Sequence, residues 1–215
     1  MGFPRPLPTA LVAGFLLGSA SWALANLTGP PTGASGGPGD RTCFQSDCHL
    51  GNMVNNGLGA MSLGGLPQKY LPGTTYSMLL ELASTSTTGF DNRRWGFQIT
   101  AIRLDAGTRA GTWIPLSNQI LSPNPGKQRD YLSHRQAGVQ QGASSPVTFA
   151  VTWKAPDSDM GPIGFFFAGN AANGNGTNLG DFVYSGSDTT FPEGVLVEPA
   201  TWGGLKRLEW GGGAP

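Results

Sequence analysis

Between Val147 and Lys154 hydrophobic and polar side chains alternate without a break, with Val147, Phe149, Val151 and Trp153 on one side and Thr148, Ala150, Thr152 and Lys154 on the other. A period of two is the signature of a half-buried β-strand, and Pro156 ends it because proline cannot donate to a ladder. The same period runs through Tyr76, Met78, Leu80 and Leu82, which follow the turn Leu71-Pro72-Gly73-Thr74 and alternate with Ser77, Leu79 and Glu81. In Trp95-Gly96-Phe97-Gln98-Ile99-Thr100-Ala101-Ile102 it puts Trp95, Phe97 and Ile99 on one face. Residues 163–168 are apolar almost throughout, which predicts a strand covered on both sides. Weaker strands are predicted around Trp113-Ile114-Pro115-Leu116, Gln119-Ile120-Leu121 and Asp181-Phe182-Val183-Tyr184, with polar or Gly/Asn-rich loops over residues 84–92 and 170–180.

Seven to nine short strands separated by turn signals predict an all-β, immunoglobulin-like β-sandwich. Composition agrees, since 34 glycines and 17 prolines in 215 residues leave little room for long helices. Residues 26–41 hold Gly29, Pro30, Pro31, Gly33, Gly36, Gly37, Pro38 and Gly39, so the sandwich is entered through an irregular arm. Residues 50–66 read as further irregular chain with Met53, Met61 and Leu63 scattered in it.

Residues 1–25 read as a signal peptide: Arg5 supplies the positive charge, residues 10–24 the apolar stretch and Ala23-Leu24-Ala25 a small-x-small cleavage site. That stretch is interrupted by Gly14, Gly18, Ser19 and Ser21 and falls short of the roughly 20 residues of a membrane span. The expected organisation is therefore a leader at 1–25, an arm at 26–66, a sandwich at 67–200 and a tail at 201–215. The mature chain, without a membrane span, is expected in a periplasm or outside the cell. With 13 basic and 13 acidic residues, charge gives no case for nucleic acid or an anionic membrane surface.

Chemistry concentrates in Cys43-Phe44-Gln45-Ser46-Asp47-Cys48-His49, which holds both cysteines and one of the two histidines. In a C-x-x-C-H haem site two thiols add across the vinyl groups and the adjoining histidine ligates the iron. Here the spacing is C-x4-C-H, which keeps His49 next to Cys48 and lets two extra residues bulge between the thioethers. The expectation is one covalent haem c held by Cys43 and Cys48, with His49 as proximal ligand. The alternative is a Cys43–Cys48 disulfide in an adhesive or structural module without haem.

As a set, several stretches resemble the bacterial reelin-type domains: Tyr76 after its Pro-Gly turn, Trp95-Gly96-Phe97-Gln98, Val151-Thr152-Trp153-Lys154-Ala155-Pro156, and Phe167-Ala168-Gly169-Asn170-Ala171-Ala172-Asn173-Gly174-Asn175-Gly176 followed by Gly180-Asp181. More narrowly the chain is similar, from about Gly29 to Tyr184, to the set called choice-of-anchor V. That resemblance implies an exported, reelin-type β-sandwich with an attached c-type haem on its N-terminal arm. In it, Asp130-Tyr131-Leu132-Ser133-His134-Arg135 corresponds to a Tyr-x-x-His stretch, which fits His134 as distal iron ligand. Met53 and Met61 compete for that role, since thioethers also ligate haem.

A bis-His haem suits electron exchange with redox partner proteins. A labile sixth ligand would instead suit a sensor or catalyst. Asn170, Asn173, Asn175, Asn178 and Asp181 offer oxygens to calcium, but a single carboxylate among them favours a plain turn-rich loop.

Overall fold

The structure is a computed structural model that describes residues 29–44, 48–86 and 92–194. The expected leader, the tail at 201–215 and residues 45–47 between the cysteines lie outside the described residues. Eleven strands are described: β1 (Leu50–Gly51), β2 (Gly59–Gly64), β3 (Lys69–Tyr70), β4 (Thr75–Ser84), β5 (Arg94–Arg103), β6 (Thr112–Trp113), β7 (Gln119–Asn124), β8 (Arg129–His134), β9 (Val147–Lys154), β10 (Ile163–Ala172) and β11 (Leu179–Pro192). They form two sheets, one ordered β1-β11-β10-β5-β8-β7 with β3 also paired to β11, the other ordered β2-β4-β9-β6. Among the described residues no helix is long and apolar enough to cross a membrane.

The alternation read from β4 and β9 is the register of the smaller sheet, where Met78 opposes Val151, Leu80 opposes Phe149 and Leu82 opposes Val147. Their buried side chains meet Trp95, Phe97, Ile99, Phe165 and Phe167 of the larger sheet in one core. Trp153 sits at its centre, fully buried. Its indole N–H donates to the Ala110 carbonyl at 2.9 Å, its ring stacks on Tyr76 at 6.0 Å, and Phe165 meets it edge-on at 4.9 Å.

Four differences from the sequence reading bear on function. β2 pairs along its whole length with β4, so residues read as irregular arm belong to the smaller sheet. β8 carries too little apolar pattern to announce a strand, yet it pairs with both β5 and β7 and brings His134 to its end. β10 continues through Asn170 to Ala172, and β11 runs well past Tyr184, so the predicted loop at 170–180 is shorter and the last strand longer than the glycines implied.

The fourth is the arm, which lies against the outer face of the larger sheet instead of leading loosely into it. Gln98, projecting outward from β5 and fully buried, accepts the Ala34 N–H at 2.6 Å and donates to the Pro31 carbonyl at 3.0 Å and to Ser133 Oγ at 3.1 Å. Asp40 is held harder still. Its Oδ1 takes Lys127 Nζ at 2.6 Å, the Tyr131 hydroxyl at 3.0 Å and Arg129 at 3.3 Å, while Oδ2 accepts from Ser35 Oγ at 2.8 Å. Arg129 continues to the Pro38 and Gly107 carbonyls, both at 2.7 Å, tying the arm to the turn after β5. A buried carboxylate is tolerated only when its lone pairs are this fully occupied. The arm explains why nearly every residue of β5 is buried on both faces.

Two measurements test this packing. Trp153→Ala is expected to lose about 3–5 kcal/mol in denaturant unfolding, because it opens a cavity between the sheets; a loss under about 1 kcal/mol would place that face in solvent. The Tyr131 hydroxyl is pushed up to about 12, first by burial and then by the Asp40 charge. Its neutral form is favoured only in the folded state, so its contribution is complete below the ordinary value near 10 and is lost as pH rises toward 12. The unfolding midpoint should fall across that window, and less steeply in Tyr131→Phe; identical slopes would contradict the buried contact.

Candidate functional site

Past Asp40 the arm crosses to the neighbouring strands and delivers Cys43 into a small apolar cluster with Ala168 and Val183, outward-facing residues of β10 and β11. The chain then turns, so that Phe44 and His49 form a parallel bridge, and β1 attaches alongside β11. Both cysteines are thiols and no disulfide joins them. Burial pushes the Cys43 thiol up to about 12, with nearby Cys48 adding to the shift, so Cys43 is protonated at neutral pH. It is neither a ready nucleophile nor a thiolate ligand.

His49 is fixed by a residue 132 positions away. Its Nδ1 lies 2.6 Å from Oδ2 of Asp181, a β11 side chain that is almost wholly buried. The other carboxylate oxygen accepts the Asn173 N–H at 2.9 Å. An imidazole that donates Nδ1–H to a carboxylate carries its lone pair on Nε2, the tautomer found where histidine ligates metals. Asn170 Nδ2 lies 3.0 Å from Nδ1 and 3.1 Å from Nε2, against the face of the ring, and Asn170 Oδ1 is buried with no partner among the described residues.

His134 arrives from the opposite side. At the end of β8 its Nδ1 is 2.9 Å from the Phe97 nitrogen and 3.1 Å from the Phe97 oxygen, so it either accepts the Phe97 N–H or, in the other tautomer, donates to the Phe97 carbonyl. The ring lies over Gly96, where a Cβ would collide with Cε1 and stand 2.8 Å from either ring nitrogen. Burial holds its pKa below the ordinary histidine range, the Phe97 backbone bond opposes this, and His49 lowers it further. His134 is therefore neutral at neutral pH.

Asn170 and Gly96 are register partners on β10 and β5. The imidazole bonded to Asn170 and the one lying over Gly96 are thus held above adjacent positions of neighbouring strands. Cys43, Cys48, His49 and His134 all line a single cavity of about 340 Å³, walled also by Pro30, Trp95 and Ala172. That volume lies within the roughly 300–1,000 Å³ of small-molecule sites.

The methionine competitors are elsewhere. Met61 is buried in the core between the sheets, and Met53 is 73% exposed and lines no part of this cavity. Three of the groups considered for calcium are turned onto the chain itself: Asn173 Oδ1 accepts from the Asn175 N–H, Asn175 Oδ1 accepts from Thr177, and Asp181 serves His49. Sequence reasoning offered Asp181 and Asn170 only as calcium oxygens and passed over Arg94, Gly96 and Gln98. Gly96 within an otherwise bulky strand was the one available signal, since an isolated glycine there marks close approach.

Among the described residues no group of three or more His, Cys, Asp or Glu is arranged to grip a bare metal ion. A bare ion needs three or four protein ligands, whereas a haem iron, already held by its porphyrin, needs one or two. The two histidines and the two thiols beside them fit the second case.

No family model and no curated protein matches the sequence. Among solved structures, the human F-spondin reeler domain is similar at 15% identity and a TM-score of 0.42, covering 70% of this chain and 100% of that one. A second structure, the Reelin-N domain of F-spondin, gives 17% and 0.41, covering 66% and 93%. A cohesin module from Clostridium perfringens gives 9% and 0.38, covering 64% and 98%. These likenesses are of shape alone and weak, so the β-sandwich stands on the strand order and register of this chain.

Proposed function

We propose that this β-sandwich is an exported c-type monohaem cytochrome, an electron carrier of the choice-of-anchor V kind. The observation that supports the reading is the convergence of Cys43, Cys48, His49 and His134 on one cavity, although they come from the arm and from the far end of β8. Haem bound there would supply one-electron redox chemistry. Cys43 and Cys48 would anchor it as thioethers, His49 would serve as proximal ligand and His134 as distal ligand.

The rest follows from what these side chains already do. Asp181 would hold His49 in the tautomer whose Nε2 lone pair is free for iron. His49 would offer Nε2 to the iron, and Asn170, which lies against the same ring, would border that position. His134 Nδ1 would donate to the Phe97 carbonyl, the tautomer that leaves the Nε2 lone pair free for iron. Pro30 and Ala172 would line the haem and help keep water from it. Two fixed axial ligands need no rearrangement between oxidation states, which is why the set suits a carrier better than a catalyst.

A second reading, a module without haem closed by a Cys43–Cys48 disulfide, is favoured by the packing of Cys43 against Ala168 and Val183 and by the bridge that draws Phe44 to His49. The two readings separate cleanly. Protein exported from a haem-maturing host should keep a haem mass through acid and denaturant, and Cys43→Ala with Cys48→Ala should abolish it. A disulfide recovered from haem-replete cells would overturn the proposal. The ferric spectrum should be low-spin, turning high-spin and open to carbon monoxide in His134→Ala. Gly96→Ala should give part of the same change by displacing the ring. A His134→Ala protein that stays low-spin removes His134 as ligand, and a wild type already high-spin points to a sensor or catalyst.

A further inference from the structure

We propose that Arg94 is a carboxylate-binding residue at this cavity, receiving the acidic edge of an otherwise apolar, planar ligand; the inference deepens the haem reading by assigning the propionate side. Arg94 opens β5 on the same outward face as Gly96, and its cross-strand partner is Ala172, whose small side chain leaves room beside it. It lines the cavity that holds both histidines.

Its guanidinium is unspent. Among the described residues Arg94 forms no ion pair, and its Nε is buried without a hydrogen-bond partner. A buried donor on a permanently charged group is costly to leave unmatched. The one carboxylate lining the cavity cannot serve it, because Asp181 is occupied by His49 and by the Asn173 N–H. Among the described residues no acceptor is left for it, and we assign that place to a ligand. A guanidinium offers two parallel N–H donors, which a carboxylate matches in one plane. The neighbouring rim residues Asn92 and Gly176 are exposed, so the acid could remain near solvent while the apolar body goes inward. Asn170 Oδ1 is a second buried polar atom without a partner among the residues that line this cavity.

The test uses the mature chain prepared, with thiols reduced, in a host that does not attach haem. Metal-free protoporphyrin IX and its dimethyl ester are titrated against wild type, Arg94→Gln and Arg94→Lys, with thermal melts confirming that the variants fold. Wild type should bind the diacid at least about tenfold more tightly than the diester, the low end of what a hydrogen bond to a charged group contributes. That ratio should collapse toward one in Arg94→Gln and be partly kept in Arg94→Lys. Equal ratios in wild type and Arg94→Gln, or no binding of the diacid to wild type, would overturn the assignment. Haem mass on Cys43 and Cys48 is scored separately in a maturing host. Attached haem with no Arg94 effect sinks this inference alone, whereas Arg94-dependent porphyrin binding without attachment sinks the cytochrome reading alone.

Discussion

The carboxylate of Asp40 carries no solvent exposure and answers to four side chains, Ser35 from its own turn and Lys127, Arg129 and Tyr131 from β8 and the hairpin before it. That grip decides where the first described residues of the chain go. Without it, a segment so rich in glycine and proline has little apolar surface to bury and much conformational entropy to lose on ordering. Removing one partner of a buried ion pair is far more disruptive than the pair is stabilising, so Asp40 works as a specificity device for the position of the arm. Gln98 repeats the logic on the neighbouring strand β5, replacing charge with three hydrogen bonds.

Everything proposed for the site descends from this placement. The arm covers the outer face of the larger sheet, turning it into a second interior, and so gives Cys43 an apolar seat on Ala168 and Val183. It also forms one wall of the cavity through Pro30 and Pro31. Gly29, with φ of +125°, passes so near the backbone of His134 that a Cβ there would stand 2.8 Å from its carbonyl oxygen. Arm and β8 are thus fitted to each other at the place where the His134 imidazole is aimed. A buried, neutral His134 and a carboxylate-held His49 then face one volume.

The sandwich was legible wherever one face of a strand was dry and the other wet. β4 and β9 have that property and their register was plain. β8 is buried over most of its length with polar residues included, and a strand whose polar groups find internal partners leaves no period of two to read. The strand at 163–168 was read as covered on both sides, but its cover, an arm of glycine and proline, carries no hydrophobic pattern. For the site, adjacency in sequence exposed Cys43, Cys48 and His49. The distant partners were hidden because hydrogen bonds spanning 132 positions, as between His49 and Asp181, leave no local trace. His134 stood out by its scarcity, not by any pattern around it.

Amide hydrogen exchange in the wild type and in Asp40→Ala tests the placement of the arm most directly. The Ala34 N–H, buried and bonded to Gln98, and the Arg41 N–H, bonded to the Gly33 carbonyl, should exchange as slowly as neighbouring amides of β5 in the wild type. In Asp40→Ala both should exchange rapidly while the amides of β4 and β9 stay protected. Rapid exchange of Ala34 and Arg41 already in the wild type, or unchanged protection in the variant, would contradict an arm pinned by that carboxylate.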